Sequence, residues 1–431
     1  MENEVTMTLG ERIRKIRTLK EFSLEYVSHI TGYSIPTLSR VERGETDCNE
    51  TMLNAIKKAL GIGDAPLTRE ELLAFSFRLQ RWYESIKAKN LDEANVIKKE
   101  VSVILHLPYE HEKITRYRIF EANLYMAERN LTDAEECLNM SREFLDETNL
   151  ANMYYYYFSI GSLHFRRGLK KEALCFYLKA YDLRENAYNQ EDGIYYNIAA
   201  CYSNLCLPFH TIKFAQEFRA NHKGDILKDL ELYFGNLLAA NYIEIGEVHI
   251  AKRLLDKSLI QAKSDNNDVY VGIITHNYGC LHKEKKEWIE AIRYFNRAFE
   301  LFQDDKDFYL ENLYQKIHCL ILGGKRVQAK FPGLSDLLDE GMTLSDSKKY
   351  SILFESLGHS LTLGEKESLE YIETVTIPYL VEEYQHFKAL EYCKLLKQHY
   401  IKTRKVSKSF EISEIENRIL RKIIRGEVNL Q

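Results

Sequence analysis

Between Thr37 and Arg43 the chain sets a hydroxyl pair and two guanidinium forks on one short stretch: Thr37, Ser39, Arg40 and Arg43. Arginine can fork onto the O6 and N7 edge of guanine, and serine or threonine can reach a base edge or a phosphate oxygen. That chemistry is the reading of double-stranded DNA. A second set is spread through the chain and is rich in amides and aromatics. Asn and Gln offer a donor and an acceptor on one side chain, which suits capture of an extended peptide backbone. Covalent chemistry has no comparable carrier. His111-Glu112 lacks the rest of a zinc-protease motif, Gly324-Lys325 lacks the upstream glycine of a phosphate loop, and neither GxSxG nor GxGxxG occurs. His, Cys and acidic residues do not gather at metal-ligand spacing. The reading is therefore of a non-enzyme, with no catalytic residue, metal or cofactor assigned.

The elements that position the first set are short helices. Leu9, Ile13, Ile16 and Leu19 are spaced for one helix face, with Arg12, Arg14, Lys15, Arg17 and Lys20 on the remainder. Ser23 is placed to cap a second helix, which Gly32 ends; Ser34 caps a third, with Pro36 in its first turn and Gly44 as its stop. Helix, glycine corner and helix make a helix-turn-helix. Residues 1–63 hold as many acidic as basic residues, and the chain has a formal net charge of −5. DNA contact must then come from placement rather than overall charge.

Beyond Asp64-Ala-Pro66 the chain repeats. Small residues at Ala94, Ala134, Ala173, Thr211, Ala251, Ala291, Ala329 and Ser368 recur at intervals of 38 to 40. Counting the first residue of a unit as 1, Gly161, Ala173 and Tyr177 fall at offsets 8, 20 and 24 of a unit starting at Tyr154. Gly279, Ala291 and Phe295 fall at the same offsets of a unit starting at Gly272. These units look like tetratricopeptide repeats with lengthened turns. Pro332 and Gly333 interrupt the second helix of the unit from 311. The expected fold is all-α: a head at 1–64, a right-handed helical solenoid at 65–377 and a C-terminal helical cap at 378–431. The first helix of each pair should line a concave channel through offsets 2, 5, 9, 12 and 13. Candidates on that row are Asn123, Tyr155, Phe158, Arg166, Tyr196, Asn204, Asn236, His276, Asn312 and Gln315, with Arg166 suited to a peptide carboxylate.

The eight cysteines form no CxxC, which reads as reduced thiols, and no apolar run approaches the roughly 20 residues of a membrane span. Both point to a cytoplasmic protein away from the membrane.

The stretch Gly32-Tyr-Ser-Ile-Pro-Thr-Leu-Ser-Arg-Val-Glu-Arg-Gly44, with Glu50 to Gly61 after it, resembles the DNA-binding domain of the Cro and phage-repressor class. Carried over by position, the resemblance implies that Ile35, Pro36, Thr37 and Arg40 face the major groove. Ser39, Arg43 and Arg12 would contact phosphates, and Glu42 would pair back to Arg12 or Arg17. Leu24 departs from the glutamine frequent in the class, and the apolar Ile35-Pro36 would favour contact with a thymine methyl. A Cro-type head followed by tetratricopeptide-like repeats resembles the peptide-pheromone-sensing regulators of Gram-positive bacteria, the RRNPP family. That resemblance implies a homodimer, a short signalling peptide in the channel (quorum sensing) and transcription switched by it. The alternative is a repeat scaffold that binds and inhibits a signalling protein such as a response regulator, its helix-turn-helix vestigial.

Overall fold

A computed structural model of the chain describes residues 9–61, 69–104, 111–142, 144–186, 193–221, 228–301 and 305–426. Every regular element among them is a helix. They gather into two compact units, Met1–Glu191 and Asp192–Gln431.

In the first unit, α1 (Leu9–Leu19), α2 (Leu24–Thr31), α3 (Ile35–Glu42) and α4 (Glu50–Leu60) form the head. Its local rules are visible atom by atom. Ser23 Oγ accepts from the Tyr26 amide at 3.0 Å, Ser34 Oγ from the Thr37 amide at 3.3 Å, and Asn49 Oδ1 from the Met52 amide at 2.8 Å. Each satisfies one orphan donor of a helix start. Gly32 takes φ 74°, the left-handed turn that closes α2. Ile13, Ile16, Val27, Leu38, Val41, Met52, Ile56 and Leu60 make one small core, whereas Leu9 and Ile30, which share the helical spacing, are exposed. Gly10 is essential to the closeness of α1 and α3: a Cβ there would stand 2.0 Å from the Val41 carbonyl oxygen.

Three helix pairs complete the first unit: α5 (Arg69–Lys87) with α6 (Leu91–Ile104), α7 (His111–Ala127) with α8 (Leu131–Arg142), and α9 (Leu150–Arg166) with α10 (Lys170–Asp182). The head meets α7 through an ion pair, Arg118 to Glu21, at 2.8 Å. Arg118 is itself held by Glu121, which also takes Lys98.

The second unit continues the pattern with α11 (Gly193–Asn204) and α12 (Pro208–Asn221), α13 (Lys228–Glu244) and α14 (Val248–Ser264), and α15 (Asp268–Glu284) and α16 (Trp288–Leu301). The repeating small residues sit where two helices touch. Ala173, Ala251 and Ala291 are fully buried, and a Cβ on Gly161 or Gly279 would run into the ring of Tyr177 or Phe295. This is the fold of a tetratricopeptide-like repeat. Ala329 departs from it and is exposed. Gly324 breaks α17 (Lys306–Lys330) at φ 65°, the register slips, and Val327 takes the buried place against Gly323.

After Pro332-Gly333 come α18 (Leu334–Leu344), α19 (Lys348–Leu361), α20 (Lys366–Tyr371), α21 (Ile377–Glu382), α22 (His386–Lys402) and α23 (Val406–Arg425). The segment expected to be an end cap does more than close the last repeat. Lys388 of α22 bonds Glu311 of α17, Glu391 bonds Lys283 of α15, and Gly426 abuts the ring of His210 on α12. It folds back along the inner faces of earlier helices. The basic turn from Lys402 to Lys405 is exposed, as a solvated turn should be.

Candidate functional site

The first candidate surface is the outer face of α3. Leu38 and Val41 point into the core, and the 3.6-residue period then turns Ile35, Pro36 and Arg40 outward, all exposed, with Thr37 half-buried. Thr37 Oγ1 lies 2.8 Å from Ser34 Oγ, so the hydroxyl at the start of α3 is part of the cap. Glu42 is 5% exposed and takes both ends of the Arg17 guanidinium, at 2.6 and 2.9 Å; Arg17 also donates to the Phe22 carbonyl. Of the two partners expected for Glu42, the one taken is Arg17. The Arg12 side chain lies outside the described residues. Arg43 forks onto Glu45 at 2.7 and 3.0 Å and bonds Ser39 Oγ at 3.0 Å. A phosphate contact by Arg43 or Ser39 must displace those bonds.

The second candidate site is a cavity of about 460 Å³ in the second unit. Its walls are the inner faces of α13, α15 and α17 and the folded-back α22 and α23. Ten wall residues come from the three repeat helices, and eight of them, Ala240, Ile243, Glu244, His276, Cys280, Lys283, Glu284 and Gln315, stand at offset 5, 9, 12 or 13 of their repeats; Asn277 and Glu311 stand at offsets 6 and 1. Offset 2 does not reach the cavity, because one turn at the helix start carries it into the neighbouring repeat.

That difference corrects part of the expected row. Tyr155, at offset 2, is fully buried and packs edge-on against Tyr83, Phe120 and Tyr154; it is core, not channel. Asn312, also at offset 2, is fully buried behind His276, with its Oδ1 3.0 Å from His276 Nδ1. Asn236 is 9% exposed and accepts from Asn277 at 2.9 Å. Asn123 donates to Ser159 Oγ at 2.7 Å, a bond between adjacent repeats. Phe158 is half-buried against Tyr154 and Tyr177, and Tyr196 against Tyr233 and Phe234. Arg166 and Asn204 remain exposed at the ends of α9 and α11. His276 and Gln315 alone of the expected residues line the cavity.

Glu244, Cys280, Lys283 and Glu284 stand at the same repeat offsets, but their residue types carry no signal for capture of a peptide backbone as amides do. The walls from α22 and α23 carry no such signal; only folding brings them there.

Charges dominate the cavity. Lys283 bridges Gln315 Oε1 and Glu391 Oε1, both at 2.9 Å. Lys388 holds both oxygens of Glu311, at 3.0 and 3.1 Å. Burial opposes ionisation of Glu311, but the ammonium groups of Lys388 and Lys349 outweigh it and hold the carboxyl below the usual range. Glu244 has no hydrogen bond or ion pair among the described residues. Enclosure by protein pushes it up to about 8, with Lys388 pulling the other way and Glu391 adding to the rise. Solvent in the cavity still reaches it. A cationic group entering here would meet the carboxylate of Glu284 and, at Glu244, an unpaired carboxyl that gives up its proton readily only once a cation is beside it.

A second hollow, of about 310 Å³, is lined by α14, α15 and α16. Its one acidic group, Asp256, is already taken by Lys252 and by the Tyr278 hydroxyl. It offers a ligand less unmet polar chemistry than the inner cavity. Among the described residues no group of three or more His, Cys, Asp or Glu is placed to hold a metal, and no helix is long and apolar enough to cross a membrane.

Comparison with known proteins agrees with this architecture. A helix-turn-helix family model matches residues 13–66. The transcriptional activator NprA of Geobacillus stearothermophilus is 26% identical over 364 residues, covering 83% of this chain and 82% of that protein. The solved complex of NprR with its cognate peptide NprX superposes with a TM-score of 0.64 at 20% identity, over 83% of this chain and 99% of that one. In sequence and fold the chain thus resembles the regulators of the RRNPP family. Further solved proteins share the repeat fold. A Rap protein complexed with competence and sporulation factor superposes with a TM-score of 0.67 at 15% identity, over 82% of this chain and 99% of that one. Response regulator aspartate phosphatase I of Bacillus subtilis is 24% identical over 253 residues, 54% of this chain and 62% of that protein.

Proposed function

We propose that this chain is a cytoplasmic, homodimeric transcriptional regulator whose DNA binding is controlled by a short signalling peptide held in the cavity of the second unit. The observation that carries the reading is that one chain joins a capped helix with an exposed Arg40 face to a charged cavity between helix pairs. The relatives support it: NprA is a transcriptional activator, and NprR is solved with a peptide. Phosphate neutralisation supplies much of DNA affinity, and this head has no charge excess, so one copy binds weakly. Two copies held at a fixed separation are needed, which is what a dimer provides. The peptide would favour one arrangement of the repeats and so one spacing of the heads.

The cavity favours a peptide with a basic group, which Glu244 and Glu284 would receive, and with backbone amides for Gln315. Gel shift with DNA upstream of the gene tests the first half: Arg40→Ala should weaken the wild-type shift, and equal binding would refute DNA reading by α3. Calorimetry with peptides encoded beside the gene tests the second: Glu244→Gln and Gln315→Ala should each weaken binding, and unchanged affinity in both would move the site elsewhere.

The likeness to response regulator aspartate phosphatases I and E supports a second reading, a scaffold that binds a signalling protein. Pull-down of a response regulator together with an absent gel shift would favour it.

A further inference from the structure

Three residues at the cavity stand in an order that neither DNA reading nor peptide capture uses. Cys280 Sγ is 3.4 Å from His276 Nε2, and His276 Nδ1 is 3.0 Å from Asn312 Oδ1. Cys280 and His276 lie one turn apart on α15 and both line the cavity; Asn312, on α17, is fully buried behind them. The Asn312 amide N–H donates to the Phe308 carbonyl at 2.8 Å. That bond fixes the amide, so Oδ1 faces the ring and accepts the Nδ1 proton. The rings of Phe295 and Phe308, with centroids 5.4 and 5.3 Å away, hold the imidazole in place. With Nδ1 committed to Asn312, Nε2 presents its lone pair to the thiol. A thiol, a base within reach and a third group that orients the base are the parts of an activated nucleophile.

We propose that Cys280 is a nucleophilic thiol, activated by His276 and Asn312, that reacts with small hydroperoxides entering the cavity. In the reaction His276 takes the thiol proton. The thiolate then attacks one peroxide oxygen, an S–O bond forms and the O–O bond breaks. The imidazolium returns its proton to the leaving oxygen, hydroxide from hydrogen peroxide or alkoxide from an alkyl hydroperoxide, which departs as water or the alcohol. Sulfur is oxidised by two electrons to a sulfenic acid and the peroxide is reduced by two. The cavity suits a small polar electrophile rather than a bulky apolar one, because its walls carry so many charged groups. Lys283, one turn beyond Cys280 on α15, adds positive charge beside the sulfur, a setting that favours thiolate. The other charged or titratable groups facing the site are Glu244 from α13, Glu284 from α15, Glu311 and Cys319 from α17 and Lys388 and Glu391 from α22; Glu311 and Glu391 are already paired to lysines. Burial opposes a charged His276, yet Cys280, Asn312 and Glu311 outweigh it and push the imidazole up to about 9, which makes it a stronger base toward the thiol.

The inference does not depend on the signalling peptide, and its test uses none. The full-length protein is treated with hydrogen peroxide in the presence of a dimedone-type trap, and each cysteine is quantified by peptide mass spectrometry. Cys175, half-buried on α10, is the internal reference. Cys280 should be trapped at least about tenfold faster than Cys175. His276→Gln should bring it down to the Cys175 rate and leave Cys175 unchanged, with helix content checked by circular dichroism. If that variant does not fold, the wild-type protein decides alone, by the ratio of Cys280 to Cys175 trapping. Equal trapping of Cys280 and Cys175, or a fast Cys280 indifferent to His276→Gln, would each overturn the proposal.

Discussion

The head and the cavity are built by opposite routes. In the head, the groups expected to face the major groove lie within one eight-residue helix, and the residues that orient them are close in sequence: Ser34 caps, Leu38 and Val41 anchor, Pro36 starts the turn. In the cavity, neighbours come from α13, α15, α17, α22 and α23, and the ion pair between Lys283 and Glu391 joins residues 108 positions apart. A local site survives most changes elsewhere in the chain and fails when its own helices cannot approach. A site assembled from repeats fails when register or the returning helices are disturbed.

The sharpest way to break the comparison is at Gly10. Gly10→Val should push α1 from α3, since even a Cβ would collide with the Val41 carbonyl. An overpacked contact costs about 1–3 kcal/mol or more, a large share of what so small a core supplies. DNA binding should disappear while the second unit keeps its helix content, as read by gel shift and limited proteolysis. Loss of both together would show that the head is not autonomous. Next in size is Glu42→Ala, which leaves Arg17 partly buried without its carboxylate. About 3 kcal/mol of head stability should be lost, measured by denaturant titration. Arg40→Ala should be gentler. It leaves the fold intact and costs about 1–3 kcal/mol in specific DNA binding, in line with loss of one base-reading arginine.

The smallest effect sharpens the cavity side. Glu244 has a carboxyl raised in the folded protein, so between pH 4.5 and about 8 the native state binds more protons than the unfolded one. Stability must then fall as pH rises through that window. The Glu244→Gln variant should show a shallower fall than wild type, by urea unfolding at several pH values. The slope stays modest because solvent reaches the group. An unchanged slope would mean that Lys388 already neutralises Glu244.

The repeat register was nearly enough to find the cavity. Offsets 5, 9, 12 and 13 supply eight of the ten cavity residues from the three repeats that line it, because a helix packed on both neighbours has one free stripe. Tyr155 and Asn312 show where periodicity stops being sufficient. Offset 2 obeys the same helical period, yet it faces the adjacent repeat at the helix start, where the pairs are closest. Ala329 shows the other limit. Its interval matches the series, but Gly324 breaks the helix ahead of it and turns it to solvent.

What the sequence by itself determined is the local grammar: capped helices in the head, an exposed Arg40 face, and a repeat of 38 to 40 residues with small residues at helix crossings. Each follows from contacts within a few turns of chain, where residue type dictates geometry. Tertiary structure decided the rest. It placed α22 and α23 against α15 and α17, left Glu244 unpaired, and set Asn312 behind His276 and Cys280. Those outcomes depend on which distant surfaces meet when the helix pairs stack, and no local preference specifies that meeting.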